Sequence, residues 1–196
     1  MNAEDVVVLY TLLQERGVQV WVDGGWGIDA LLQHQTRPHK DFDALVHFDD
    51  LPAMTDLLAE QGFTLTQIWS ENRWIVHAVQ AQLIGRANRE RSEVATAFVL
   101  RDGNGHELDF HVLIFDDGGY GIPTWNSRLI FPPHAFDGRG LIAGTPVRCL
   151  SAQMQMTTHT GYALQDKDLQ DLRHLHARFG VPYLAEQAHL ISGTAA

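Results

Sequence analysis

Apolar positions in the first part of the chain follow two different spacings. Residues three or four apart, such as Val6, Leu9 and Leu13, are typical of a helix with one buried face. Continuous apolar runs bounded by turn residues are typical of buried strands. The pattern predicts a helix over 5–16 that stops at Gly17, a strand over 18–22, about two turns of helix after Gly25, a strand over 41–48 and a helix from Leu51 to Gly62.

The middle of the chain is richer in β-branched and aromatic residues, which favour strands. Strands are predicted over 63–69, 73–79, 94–101 and 106–114, and Asp102-Gly103-Asn104-Gly105 is a strong turn signal between the last two. No element is assigned to 81–92. The stretch 115–147 is rich in Gly and Pro, and we expect an ordered excursion with short strands, because a structureless loop of that length is unusual in a compact domain.

Helical spacing returns in the last quarter of the chain. Three helices are predicted: one capped by Ser151 and running to Leu164, one capped by Asp166 or Asp168 and stopped by Gly180, and one opened by Pro182. The change of pattern predicts a mixed domain over 1–148 and a helical part over 149–196 that packs on it.

Two aspartates, Asp41 and Asp43, lie one residue apart in the strand predicted over 41–48. Alternation along a strand places both carboxylates on the same face, where like charges repel unless a cation lies between them. Mg²⁺ is the natural candidate, since it prefers carboxylate oxygens and keeps substrate phosphates among its ligands. Short acidic spacings also occur on exposed strands, so the pair by itself does not establish a site.

The residues before this pair have the features of an anion-binding segment. Gly24 and Gly25 allow a ligand to approach the backbone where a helix begins and free N–H groups bind phosphate, although Gly-Gly is more often only a tight turn. Arg37, His39 and Lys40 add positive charge just before the carboxylates. The three features in this order predict a Mg-nucleotide site better than any one of them does.

A third carboxylate, Asp109, lies between two apolar residues in the strand predicted over 106–114. A buried, unpaired aspartate is costly, so it should meet a metal, a cation or a proton. Close to the acidic pair it could bind metal or act as a general base toward an acceptor hydroxyl. His111 lies on the same face and could assist, although packing within the strand is the simpler explanation.

Composition and spacing argue against several other classes of protein. A net charge of −10 disfavours binding to the phosphate backbone of DNA or RNA and is compatible with a cationic substrate. The single Cys149 excludes an internal disulfide framework, and no apolar run is long enough to cross a membrane. We therefore expect a cytoplasmic protein that binds neither nucleic acid nor membrane. Zinc-site spacings, a P-loop, a dinucleotide fingerprint and a serine-nucleophile elbow are all missing from the sequence.

Three blocks of sequence together resemble the antibiotic nucleotidyltransferases, most closely the lincosamide type. In order they are WVDGGWGIDALL with TRPHKDFD, then ELDFHVL, then CLSAQMQMTTHTGYALQDKDLQDL. The aminoglycoside 2''-adenylyltransferases are similar in the first block and less so in the last. The resemblance implies an α+β, polymerase-β-like nucleotidyltransferase fold: a mixed β-sheet flanked by helices, with C-terminal helices.

The same resemblance implies an enzyme that uses Mg²⁺ and ATP to place AMP on a hydroxyl of a small antibiotic, with release of pyrophosphate. Carried over by motif, the site residues would be Asp41, Asp43 and Asp109 for the metal and the chemistry, Gly24, Gly25, Arg37 and His39 for the triphosphate, and Tyr162 and Asp166 for the acceptor. An internal hydrogen bond for Tyr162 and helix capping for Asp166 would explain the last two equally well.

Other functions are compatible with these residues. The acceptor could be an aminoglycoside, and a non-catalytic relative would bind nucleotide or another ligand without releasing pyrophosphate. An enzyme of the same fold could instead modify a protein or an RNA, for example within a toxin–antitoxin pair. The three carboxylates argue against the non-catalytic alternative, and the acidic charge disfavours RNA. A homodimer is also compatible with the sequence.

Overall fold

The computed structural model describes residues 1–70, 73–76, 97–123 and 129–193. The described residues form six helices: α1 (Ala3–Glu15), α2 (Gly24–Leu32), α3 (Leu51–Glu60), α4 (Ala152–Thr158), α5 (Asp166–Phe179) and α6 (Ala185–Gly193). They also form nine strands: β1 (Val20–Val22), β2 (Asp41–His47), β3 (Thr64–Ser70), β4 (Arg73–Val76), β5 (Ala97–Arg101), β6 (Glu107–Phe115), β7 (Gly121–Pro123), β8 (Gly138–Ile142) and β9 (Thr145–Cys149). None of these helices has the length and apolar character needed to cross a bilayer.

The described strands form one mixed sheet with the order β4-β3-β5-β6-β2-β1-β9-β8, and β7 pairs with the end of β6. The central strands β2 and β6 are parallel, as are β1 and β9, while the other neighbours are antiparallel. Strands β5 and β6 form the hairpin predicted around Asp102-Gly103-Asn104-Gly105. The expected α+β fold with a mixed sheet is confirmed.

Local signals explain where the first helix begins and ends. Asn2 and Asp5 form a capping box: the Asp5 N–H donates to Asn2 Oδ1 at 2.8 Å, and the Asn2 N–H donates to Asp5 Oδ2 at 3.0 Å. Gly17 follows the helix with a φ of +79°, a conformation that glycine adopts without strain. The predicted first helix with its glycine stop is confirmed.

The two faces of β2 and β6 differ in chemistry. On one face, fully buried residues such as Phe42, Val46, Phe110 and Val112 enter the main core, which is closed by α1 and α3. On the other face, the first residues of the two strands are acidic. Further along that face Leu45 belongs to a second apolar cluster, whose other buried members are Trp21, Leu113, Phe131, Ala135, Phe136, Leu150 and Met154. The polar end of this face is therefore the part of the central sheet that is open to a ligand.

The Ser151 cap of the first C-terminal helix and the Gly180 stop of the second are confirmed, but other boundaries differ from the prediction. The helix from Ser151 ends at Thr158, not at Leu164 as predicted, because the following loop contains Gly161 in the left-handed region with a φ of +83°. The next helix is not capped by Asp166 or Asp168: Gln165 is the cap residue, and Asp168 completes a capping box by accepting the Gln165 N–H at 2.8 Å.

Two further boundaries differ from the prediction. The last helix begins at Ala185 and not at Pro182. The first strand covers only Val20–Val22 of the predicted 18–22. The predictions for 77–79 and 94–96, and the unassigned stretch 81–92, lie outside the described residues. The excursion over 115–147 contains β7, β8 and part of β9, as expected.

The C-terminal helices pack on the first βα unit. Ile28 of α2 is buried against Met156 of α4 and Leu172 of α5, within an apolar cluster that also contains Leu169, Leu175 and Val181. This contact brings the loop between α4 and α5 over the acidic end of the sheet. The division into 1–148 and 149–196 stays a prediction, but the packing explains how the last part of the chain reaches the site.

Candidate active site

A cavity of about 690 Å³ lies over the acidic end of the central sheet. Its walls come from the start of α2, the loop before β2 and the loop between α4 and α5. Of the residues predicted for a site, those that line this cavity are Asp41, Asp43, Asp109, Gly24, Gly25, Arg37, His39 and Tyr162. Asp166 is not among the lining residues and begins α5 instead. The fold thus gathers donor, metal and acceptor candidates around one space.

Three carboxylates from three neighbouring chain segments form a row across the sheet. Asp43 of β2 is in register with Asp109 of β6, and the residue after β1, Asp23, donates its backbone N–H to the Asp43 carbonyl at 2.9 Å. Residues directly opposite each other in paired strands point to the same face. We call Asp23, Asp43 and Asp109 the carboxylate row, and Asp41 lies two residues before its middle member on the same face.

The row is electrostatically unfavourable without a ligand. Burial, and then the charges of Asp41, Asp109 and Asp23, raise the pKa of Asp43 well above its usual value. Burial, followed by Asp41 and Glu107, raises the pKa of Asp109 to about 7. The Oδ1 atoms of Asp23 and Asp109 are buried and accept no hydrogen bond from any described residue. Such groups are stabilised when a cation or proton donor binds.

His111 lies beside this row on β6. Its Nδ1 is 3.6 Å from Asp109 Oδ1, which is longer than a hydrogen bond. Burial lowers the pKa of His111, and Asp23 only partly opposes this shift. The His111 ring therefore lies next to Asp109 but does not form a hydrogen bond with its Oδ1.

The two glycines at the start of α2 allow close contacts with side chains of the site. Gly24 has a φ of +58°, and a Cβ atom there would lie 2.5 Å from Asp43 Oδ2. A Cβ atom at Gly25 would overlap the ring of His39 and lie 2.9 Å from Arg37 Nη2. A side chain at either position would therefore displace a residue of the site.

The three basic residues before β2 all have protein partners. Arg37 forms an ion pair with Asp171 of α5 at 2.6 Å, His39 bonds to Asp29 of α2 through Nε2, and Lys40 pairs with Glu107 at 2.8 Å. We call Arg37, His39, Asp29 and Asp171 the paired network. Lys167, at the start of α5, also lines the cavity and forms no ion pair with a described residue.

Sequence reasoning missed Asp23, Asp29, Lys167 and Asp171. Asp23 occupies the N-cap position of α2, where an aspartate needs no functional explanation, yet its side chain does not cap the helix. Lys167 lies within the third block of the resemblance, at the start of α5, but nothing in the sequence indicated a role of its own. The partners in the paired network are far apart in sequence, and nothing local to either residue of a pair indicates the other.

The acidic residues fit a hard divalent cation by their chemistry. In the part of the chain that the structure describes, no group of three or more His, Cys, Asp or Glu side chains encloses a ready-made metal position. Mg²⁺ commonly takes only one or two protein carboxylates and completes its shell with water and substrate phosphates. Asp41 and Asp43 supply such oxygens on one face, and the bare Oδ1 of Asp109 lies on the next strand.

Comparison with known proteins gives a consistent family. The family model described as aminoglycoside-2''-adenylyltransferase matches residues 5–87 and 77–175. A lincosamide resistance protein of Staphylococcus haemolyticus is 22% identical over 178 residues, which are 89% of this chain and 94% of the relative. A 2''-aminoglycoside nucleotidyltransferase of Escherichia coli is 28% identical over 166 residues, which are 83% of this chain and 77% of the relative.

Two solved structures share the fold. The lincosamide antibiotic adenylyltransferase LnuA, crystallised with lincomycin, superposes with a TM-score of 0.67 and 21% identity, covering 89% of this chain and 96% of that one. The enzyme ANT(2'')-Ia, crystallised with adenylyl-2''-tobramycin, superposes with a TM-score of 0.62 and 18% identity, covering 98% and 95% of the two chains.

Proposed function

The chain belongs to the aminoglycoside-2''-adenylyltransferase family of antibiotic nucleotidyltransferases, and we propose that it moves AMP from Mg-ATP to a hydroxyl of a lincosamide-like acceptor. The lincosamide assignment is supported by the near-complete coverage of the lincosamide resistance protein and by the TM-score of 0.67 to the lincomycin-bound enzyme. The single observation that carries the proposed chemistry is the in-register pairing of Asp43 with Asp109 over the cavity, with Asp41 on the same face.

Asp41 and Asp43 are the residues that would hold Mg²⁺. When bound, such an ion neutralises charge on the phosphate oxygens and on the pyrophosphate leaving group. The two carboxylates lie on one rigid strand, so their oxygens are directed into the cavity before the nucleotide arrives. Preorganisation of this kind avoids rearrangement during the reaction.

Asp109 is the proposed general base. The acceptor oxygen forms a bond to the α-phosphorus, the bond from that phosphorus to the pyrophosphate oxygen breaks, and the hydroxyl proton passes to an Asp109 oxygen. Burial, then Asp41 and Glu107, raise the pKa of Asp109 to about 7. A base with a pKa near the working pH is deprotonated often enough to act and basic enough to accept a proton.

The donor phosphates would occupy the basic side of the cavity. The N-terminus of α2 at Gly24 and Gly25 offers backbone N–H groups to phosphate oxygens. Arg37 and His39 lie beside these glycines, and Lys167 faces the same cavity from α5. We propose that the triphosphate binds over this turn of α2, with the acceptor on the side of Tyr162.

Mass spectrometry tests this function directly. The purified protein is incubated with Mg-ATP and a panel of lincosamides and aminoglycosides, and we expect a lincosamide to gain the mass of one AMP while pyrophosphate appears. Asp109→Asn should reduce the rate by about 10²–10⁴-fold, the range for loss of a general base. Asp49→Asn is the matched control, because Asp49 is an exposed aspartate beyond the end of β2.

The outcomes separate the alternatives. Modification of no drug together with tight ATP binding would favour a non-catalytic nucleotide-binding protein. Full activity in Asp109→Asn would remove Asp109 from the role of base.

An aminoglycoside is the second candidate acceptor. The 28% identity to the 2''-aminoglycoside nucleotidyltransferase and the description of the family model both favour it. The same panel decides between the two drug classes, because each modified drug has its own mass.

A further inference from the structure

We propose that Arg37 and His39 act in the donor site as positioning residues, fixed by Asp171 and Asp29, and do not bind the triphosphate themselves. The proposal rests on the proposed function, because it concerns how the same site binds its nucleotide. From the sequence, Arg37 and His39 were expected to contact the phosphates directly. Under this proposal they instead control the shape of the turn that binds the phosphates.

Three of the five N–H groups of Arg37 are already engaged by protein partners. Its Nη2 donates to Asp171 Oδ2 at 2.6 Å, its Nε is 3.4 Å from Asp171 Oδ1, and its Nη1 is 3.0 Å from His39 Nδ1. Asp171 is 1% exposed on α5, so the ion pair is largely shielded from water. A bidentate pair of this kind fixes both the position and the plane of the guanidinium group.

The contact with Arg37 also fixes the proton on His39. A guanidinium group can only donate, so the Nδ1 of His39 must accept the hydrogen bond from Arg37. The proton of the ring then lies on Nε2, which donates to Asp29 Oδ2. With both ring nitrogens engaged, His39 has no donor left for a phosphate oxygen.

Asp29 connects the ring to the rest of the loop. Its Oδ1 accepts the Thr36 N–H at 3.1 Å and the Thr36 hydroxyl at 2.6 Å, while its Oδ2 accepts from His39. The His39 ring also lies 4.6 Å from the Trp26 ring, centroid to centroid. Asp29 and His39 are 2% and 7% exposed, so this arrangement is part of the interior.

The paired network lies directly against the backbone turn that would contact the phosphates. The His39 ring lies in the space that a Cβ atom at Gly25 would need, and Arg37 Nη2 lies at its edge. The position of the ring therefore defines the surface beside the first turn of α2. With Arg37 held by Asp171 and both ring nitrogens of His39 engaged, the triphosphate is assigned to the backbone N–H groups of that turn and to Lys167.

Asp171→Asn distinguishes positioning from direct binding, because the two models predict opposite changes. If Arg37 binds phosphate, removing its partner frees it, and the KM for ATP should fall or stay unchanged. If Arg37 positions the turn, the KM for ATP should rise on the order of tenfold, with kcat and the KM for the acceptor within about twofold of wild type. Steady-state kinetics with each substrate varied in turn measure the three quantities.

Two arginine variants give a second, independent test. Lysine keeps the charge of Arg37 but cannot contact Asp171 and His39 together. Under the positioning model Arg37→Lys and Arg37→Met raise the KM for ATP by similar factors. A clearly lower KM in Arg37→Lys than in Arg37→Met would show a direct charge contact and overturn the proposal.

Controls separate positioning from a general loss of stability. Leu175→Val alters a fully buried residue of the same helix outside the paired network. It should lower the melting temperature without changing the KM for ATP, and a matching rise in KM would overturn the proposal. Wild-type protein that transfers no nucleotide would refute the proposed function, whereas an active wild type with an unchanged KM in Asp171→Asn refutes only the positioning role.

Discussion

The carboxylate row lines the same cavity as Arg37 and His39 of the paired network. The two groups differ in whether their acidic side chains have protein partners. In the paired network every buried acid has a partner: Asp171 binds Arg37, and Asp29 binds His39 and Thr36. In the carboxylate row, Asp23 and Asp109 each keep a buried oxygen without a hydrogen bond from the described residues. Satisfied polar groups stabilise a shape, whereas unsatisfied ones favour binding of a ligand.

The largest expected effect comes from neutralising the middle of the carboxylate row. Asp43→Asn should lower nucleotide transfer by about 10³-fold, a size typical of losing one electrostatic contact in a reaction. The same change should raise the melting temperature of the ligand-free protein, because the half-buried Asp43 carboxylate lies beside the like charges of Asp41, Asp109 and Asp23. Activity assays and differential scanning calorimetry measure the two effects.

If Asp43→Asn lowers the melting temperature, the carboxylate row does not destabilise the ligand-free protein, and the contrast with the paired network is wrong. Asp49→Asn should change neither quantity, as Asp49 is exposed.

The next effect comes from the glycine that approaches the row. Gly24→Ala meets two penalties, a left-handed φ of +58° and a Cβ atom 2.5 Å from Asp43 Oδ2. We expect activity to fall by about 10²-fold through displacement of Asp43. Gly62→Ala is the control, because Gly62 has a φ of +83° and nothing within 4 Å of its Cβ position.

The backbone penalty alone is about 1 kcal/mol and should appear in the unfolding of both glycine variants. Only Gly24→Ala should lose activity. Equal activities in the two variants would show that contact with Asp43 is not needed.

In the paired network the expected effect is on stability. Asp29→Asn keeps the shape of the side chain but removes one of the two oxygens that accept from Thr36 and His39. Leaving such a buried donor unpaired costs about 1–3 kcal/mol. Urea unfolding should therefore give a lower free energy of unfolding for Asp29→Asn than for wild type, whereas Asp43→Asn should give a higher one. An Asp29→Asn protein more stable than wild type would show that the partners of Asp29 do not stabilise the fold.

The smallest effect concerns a paired carboxylate away from the cavity. Burial opposes the shift, but hydrogen bonds from His106 and Asn104 hold the pKa of Asp102 below its usual value. Because the folded-state pKa is the lower one, the stabilisation is present above the unfolded-state pKa and is lost as pH falls through the folded-state value. Between about pH 5 and pH 3 the melting temperature should fall more steeply in wild type than in Asp102→Asn.

Parallel curves for the two proteins would show that the turn at Asp102 adds no acid-sensitive stability.

The carboxylates of the central strands were predictable, because alternation along a strand depends only on the sequence. Asp41 and Asp43 share a face in any extended strand, and the apolar neighbours of Asp109 indicated which way it points. The β5–β6 hairpin was predictable for the same reason, because its turn signal lies within four consecutive residues. The parallel register of Asp43 with Asp109 depends on long-range pairing and was not predicted; the sequence indicated only that Asp109 could lie close to the acidic pair.

The partners of the cations could not be predicted, because long-range contacts decide them. Arg37 and Asp171 are 134 residues apart and meet only because α5 packs on α2. The helix from Ser151 was predicted too long for a similar reason: its sequence is compatible with further turns, but the chain leaves the helix at His159 to form a wall of the cavity. Burial and partner choice are properties of the whole fold.

The register of β2 with β6 also determines where the chain can change in length. Asp43 and Asp109 meet through two adjacent strands, so an insertion or deletion in a loop of the segment that joins those strands leaves the pairing of the two residues intact. One residue inserted into either strand between the acid and the core turns that carboxylate to the opposite face. We therefore expect the site to tolerate changes of length in the loops between β2 and β6 and not within the strands themselves.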